Sequence, residues 1–363
     1  MKHHHEIYRT TRFPVFQNRM FASKQLAKDC AKGDIVLVQD LDTGLIFNQA
    51  FRPELMDYSI DYQNEQAVSP MFQEHLTDIC RIIKRHFGGC SLVEIGCGKG
   101  HFLETLQSLG FGVTGIDPTY DGTNPSVIKD FFTPALGLKS DGIILRHVLE
   151  HVRDPFGFLA SIRASNGGAG TIYIEVPCFD WICAHRAWFD VYYEHVNYFR
   201  LVDMLRLFGN VHEAGYTFQG QYLYIVADLA SIKIPQRDLA DKAQLPPDFL
   251  GTVEHFATKL RTRSLEGGTR ARAAVWGGAS KGVIFSLFMQ RSGAAIDLVI
   301  DINPAKQGKY LAGTGLQVWS PEAAIQRLVP GADIFVMNSN YLNEIQNMTD
   351  NRFSYVLVEN ERH

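Results

Sequence analysis

Between residues 91 and 228 short, nearly unbroken apolar runs alternate with stretches of helical period. Residues 92–95, 113–116, 142–145, 171–176 and 222–227 read as strands, and a further short strand is expected just before Asp130. Phe102, Leu103, Leu106 and Leu109 fall on one helical face, with Gly110 where a helix C-cap belongs. Asp154-Pro155 opens another helix carrying Phe156, Phe158, Leu159 and Ile162. Apolar runs that do not alternate with polar residues belong to strands covered on both faces, so the pattern predicts a parallel sheet between two helical layers. Residues 222–227 are expected to close that sheet.

The same alternation returns near the C-terminus, with strands at 273–276, 296–300, 333–337 and 354–358 and a helix at 283–289. The intervening stretch is more polar, holds Pro235 and Pro246-Pro247, and carries an amphipathic helix over 249–265 ended by Gly267-Gly268. Upstream, 35–39 and 45–47 form a hairpin about a polar turn ending at Gly44. An aromatic patch with Tyr58 and Tyr62 follows, and Ser69-Pro70 caps a helix running to about Phe87. The expected organisation is an N-terminal lobe (1–70), a doubly wound α/β domain (71–228), a helical linker (229–270) and a second, Rossmann-like α/β domain (271–363).

Composition narrows the function classes. With 35 basic and 39 acidic residues the net charge is −4, and no basic block breaks the balance, which argues against nucleic acid as a partner. The six cysteines include no C-x-x-C pair, as expected of a reducing cytoplasm. No run has the length of a membrane span and no signal-peptide core is present. His3, His4 and His5 are expected to lie on a mobile, functionally silent end.

The chemistry concentrates after the first strand of the larger α/β unit. Gly96, Gly98 and Gly100 form a turn opening a helix, which brings backbone N–H groups close to a ligand and suits an adenosyl cofactor. Asp117 lies 21 residues beyond Gly96 at the end of the next strand, where a carboxylate can accept from both ribose hydroxyls. Asp130 and Phe131 end the third strand, where an adenine would sit. In the C-terminal unit, residues 277–282 make a second N–H-rich turn, with Lys281 beside it. It could hold an anion such as a nucleotide diphosphate, or serve only in packing or dimerisation.

The segments Val93-Glu-Ile-Gly-Cys-Gly-Lys-Gly100, Gly115-Ile-Asp117, Asp130-Phe131 and Leu149-Glu-His-Val-Arg-Asp-Pro155 resemble class I S-adenosylmethionine-dependent methyltransferases. Tyr192-Tyr-Glu-His-Val-Asn-Tyr-Phe199 and the C-terminal Ala274-Val-Trp-Gly-Gly-Ala-Ser-Lys-Gly282 are similar to sugar C-methyltransferases of deoxysugar pathways. The resemblance implies S-adenosylmethionine as donor and S-adenosylhomocysteine as product. Donor contacts are expected from Glu94, Gly96, Gly98, Gly100, Asp117, Asp130, Phe131 and Arg146. It implies His195 as general base, assisted by Glu194, Tyr192 and His151, with the neighbouring carboxylate raising the basicity of His195. Tyr62, Gly278, Ser280 and Lys281 are the expected acceptor contacts, and the expected acceptor is a small molecule such as a nucleotide-sugar. A homodimer is possible.

That family usually carries an N-terminal zinc site of two C-x-x-C pairs. Here Asp40 and Thr43 stand where the second pair would be, and Cys30 is the only cysteine before Cys80, so no zinc or other metal is expected. Three other readings stay open: an O-methyltransferase, a non-catalytic nucleotide-binding module, and an oxidoreductase holding NAD with Gly277, Gly278, Gly282 and Asp301.

Overall fold

The computed structural model describes residues 4–56, 69–236, 238, 240–265 and 270–359. His3, the patch with Tyr58 and Tyr62, and Gly267-Gly268 lie outside the described residues.

The N-terminal sheet contains the expected hairpin but begins earlier. Strand β1 (His4–Pro14) pairs antiparallel with β2 (Lys32–Asp40), which pairs with β3 (Ile46–Asn48). Two register shifts in β1, between Glu6 and Tyr8 and between Thr10 and Phe13, break its alternation and hide it from a period-two reading. His4 and His5 are strand residues opposite Asp40 and Gln39, and the His4 ring stands edge-on to Phe47 at 5.3 Å. They are not a mobile end.

The helix Pro70–Phe87 starts where Ser69 Oγ accepts the Phe72 N–H at 3.4 Å, with Pro70 in its first turn. Phe72, Leu76, Ile79, Ile83 and Phe87 form its buried stripe. The central sheet follows with β4 (Ser91–Ile95), β5 (Gly112–Ile116), β6 (Val127–Ile128), β7 (Gly142–Arg146) and β8 (Thr171–Pro177), all parallel. A short strand, β9 (Asn197–Tyr198), leaves this unit and pairs with β3, tying the segment after Trp188 to the N-terminal sheet.

Two strands then extend the central sheet: β10 (Val211–Thr217) and β11 (Tyr222–Asp228), giving the order β10-β11-β8-β7-β4-β5-β6. Residues 222–227 therefore do not close the sheet. They lie between β8 and β10, antiparallel to both. The half-exposed β10 carries too little apolar pattern to declare itself, as edge strands often do.

The C-terminal sheet is parallel throughout, in the order β14-β13-β12-β15-β16. It comprises β12 (Ala271–Trp276), β13 (Leu298–Ile300), β14 (Val318–Trp319), β15 (Leu328–Val336) and β16 (Ser354–Leu357). In both larger sheets the direction of winding reverses once, between β4 and β7 and between β12 and β15. Such switch points open a crevice at the carboxyl ends of the strands. One apolar cluster links the three sheets through Phe13, Trp188, Phe256, Phe285 and Phe335, with Trp188 stacked on Phe285 at 5.7 Å. Among the described residues no helix is long and apolar enough to cross a membrane.

Candidate active site

The first crevice lies at the switch point between β4 and β7. Glu94, Gly96, Gly98, Asp117, Asp130, Phe131 and Arg146 all line it. Gly100 is not among its lining residues. It sits at φ +84° as the N-cap of the helix His101–Ser108. Gly98 N–H donates to Asp117 Oδ2 at 2.8 Å, and the Thr119 N–H and hydroxyl donate to Oδ1 at 2.8 and 2.7 Å. A carboxylate has about four lone-pair sites, so these bonds orient Asp117 and leave room for ribose hydroxyls.

Behind the turn is a buried charge array. Burial pushes Glu94 up to about 7, with Arg146 opposing and Asp117 adding to the rise. Glu94 Oε2 is buried without a hydrogen bond. Arg146 lies 3.2 Å from Glu175 Oε1 and over the Phe102 ring at 4.4 Å. The orphaned carboxylate oxygen, the three positive-φ glycines and the oriented Asp117 fit an adenosyl donor carrying an ammonium and a ribose.

A second crevice runs from the carboxyl end of β7 to those of β12, β13 and β15. It is lined by His147, Glu150, His151, Asp190, Tyr192 and His195 on one side and by Gly277, Ser280, Lys281 and Asp301 on the other. His147 and His151 face both crevices. Bonds across the central and C-terminal sheets frame it: Ser69 to Glu344 at 2.7 Å, Gln221 to Asn338 at 2.9 Å, and Lys281 to Gln221 at 3.1 Å.

The expected base, His195, lies among rings, with His151 at 5.0 Å and Tyr192 at 4.8 Å between centroids. Burial, and then the charges of His151 and His147, hold it well below the usual histidine range. The expected rise from Glu194 does not occur. That buried carboxylate accepts the backbone N–H groups of Gln17 and Asn18 and so docks the N-terminal lobe. Tyr192 donates its hydroxyl to Asp190, and burial, reinforced by that carboxylate, keeps the phenol protonated.

The C-terminal turn also differs from expectation. Gly278 N–H is taken by Asp301 Oδ2 at 2.7 Å, and Gly278 is not among the lining residues. Ser280 Oγ donates to Asn18 at 2.8 Å. Lys281, expected to meet an anionic ligand, pairs with Asp190 at 3.2 Å and lies over Trp181 at 4.7 Å.

Sequence reasoning missed His147, Glu150 and Asp190. Burial opposes protonation of His147, but Glu150 and Glu175, each 3.3 Å from a ring nitrogen, raise it to about 9. Its φ of +53° turns the side chain toward both crevices, and no residue pattern signals that conformation. Asp190 could have been suspected from its place two residues before Tyr192. At the N-terminal hairpin turn, Asp40 Oδ1 accepts the N–H groups of Asp42 and Thr43 at 2.8 and 2.9 Å, so the turn closes on its own side chain.

Residues 59–219 match the sequence profile of a methyltransferase domain. The chain is 25% identical over 285 residues to the C-methyltransferase NovU of Streptomyces niveus, covering 69% of this chain and 67% of that one. Among solved structures, a SAM-dependent methyltransferase from Archaeoglobus fulgidus is 17% identical, covering 43% of this chain and 93% of that one, at a TM-score of 0.34. The plantazolicin methyltransferase BpumL in complex with SAH is 15% identical, covering 43% and 83%, at a TM-score of 0.33.

Proposed function

We propose that this S-adenosylmethionine-dependent methyltransferase transfers its methyl group to carbon, on a small keto-sugar carried by a nucleotide. The observation that carries the reading is the sharing of His147 and His151 by two crevices. One has the features of a donor site; the other joins His195 to the second glycine turn. The similarity to NovU, a C-methyltransferase, agrees with it. Bound in the first crevice, S-adenosylmethionine supplies an electrophilic methyl group.

His195, neutral because its environment disfavours the imidazolium, takes a proton from the carbon beside the acceptor carbonyl. His147, held protonated between two carboxylates, stabilises charge developing on the carbonyl oxygen. This role passes from Tyr192, whose hydroxyl proton is committed to Asp190. Tyr192 and Asp190 instead position Lys281 at the far wall. The second parallel sheet acts as a Rossmann-like unit receiving the nucleotide, with Asp301 toward its ribose and Lys281 exchanging Asp190 for phosphate. Holding donor and acceptor in line in a closed crevice supplies much of the acceleration.

The test is incubation of the full chain with isotopically labelled donor and a panel of nucleotide-linked keto-sugars, with products read by NMR. A new carbon-bound methyl is expected, and an oxygen-bound one would reassign the acceptor. His195→Ala should lower kcat by at least about 100-fold while retaining S-adenosylhomocysteine binding. Unchanged kcat would remove His195 as the base.

A further inference from the structure

We propose that Glu150, His151 and His195 form a binding site for a first-row divalent metal ion such as Co²⁺ or Zn²⁺, at the wall of the acceptor crevice. Each contributes a donor atom, and the three atoms lie within 4.8 Å of one another. Around a tetrahedral ion with bonds near 2.1 Å, ligand atoms stand about 3.4 Å apart, so closing the set needs a contraction of little more than about 1 Å.

The second observation is the state of Glu150. It is 1% exposed, and neither carboxylate oxygen has a hydrogen bond. Its closest charged contact is His147 Nδ1 at 3.3 Å, outside hydrogen-bonding geometry. Paired with one imidazole and bonded to no donor, the carboxylate keeps lone pairs that a metal ion could take. Its backbone is fixed to the third ligand's segment, because Val196 N–H donates to the Glu150 carbonyl at 2.7 Å.

His151 Nδ1 lies 2.9 Å from the Glu194 carbonyl, which can only accept, so Nδ1 is the donor there and Nε2 is the nitrogen turned to a metal. Two imidazoles and one carboxylate favour a first-row transition ion or zinc over calcium or magnesium. Coordination positions left open would face the crevice. If His195 is the base, a claim that rests on the proposed function, the metal-loaded form cannot abstract the proton and is inactive.

The test is titration of chelator-treated full chain with Co²⁺, followed by its visible absorption. A saturable band at one equivalent is expected. Glu150→Gln and His195→Gln should each weaken it at least about tenfold while keeping the thermal transition and S-adenosylhomocysteine binding. No saturable band would overturn the proposal. So would a band unchanged in both weakening variants, which would place the cobalt elsewhere, as on His3, His4 and His5. S-adenosylhomocysteine binding measured calorimetrically on the same sample tests the methyltransferase reading separately, so either can fail alone.

Discussion

The turns at residues 96–100 and 277–282 are built alike and put to different uses. Each leaves the first strand of a parallel series at the switch point of its sheet. In each, a glycine N–H is held by an aspartate from the end of the next strand, Gly98 by Asp117 and Gly278 by Asp301. Beyond that they diverge. Asp117 keeps only loop donors and faces an open crevice. Asp301 also accepts Lys306 Nζ at 3.1 Å and the Asn303 N–H at 2.8 Å. Before the second turn's helix, Ser280 at φ +38° is bonded to the N-terminal lobe, and Lys281 is paired across the crevice. A strand–glycine–helix unit thus builds an oriented N–H cradle by local rules, while the elements packed opposite decide what it can hold.

The largest effect should come from Gly282→Ala. A Cβ there runs into the Gly277 carbonyl oxygen, a backbone atom that cannot swing aside. A loss of about 3 kcal/mol is expected by chemical denaturation. Next is Asp117→Ala, which removes the carboxylate that orients the first turn. S-adenosylhomocysteine affinity should fall about thirtyfold, or about 2 kcal/mol, in calorimetry. Asp301→Ala should leave that affinity unchanged, and an equal loss in both would erase the distinction between the turns.

Gly98→Ala should cost about 1 kcal/mol. At φ +55° a side chain is strained, but a Cβ there meets no atom within 4 Å. A pH-dependent effect should come from Glu94, which has no acidic counterpart in β12. Its folded-state value of about 7 lies above its ordinary 4.5, so its contribution is fully present below pH 4.5 and is lost as pH rises through 7. Thermal melts from pH 4.5 to 7.5 should show a decline in the wild type that Glu94→Gln flattens. Parallel curves would exclude Glu94 as its source.

Much of the scaffold was legible because it depends on local pattern. Unbroken apolar runs declared the parallel strands, Ser69-Pro70 and Asp154-Pro155 declared helix starts, and Gly96, Gly98 and Asp117 declared the first crevice. The misses are places where local pattern was overruled or silent. Register shifts hid β1, and edge exposure hid β10. Glu194 sits beside His195 in sequence, yet its carboxylate goes to Gln17 and Asn18, partners more than 170 residues away that no local pattern signals.

What the sequence by itself determined is therefore most of the parallel strands and the glycine cradles, since hydrophobic periodicity and backbone sterics act over a few residues. Only the tertiary structure decided that His147 would stand charged between Glu150 and Glu175, that His195 would be kept neutral, and that Lys281 would meet Asp190. Those states follow from burial and from charges brought together from as far as 91 residues apart in the chain, and electrostatic energies depend on distance in space.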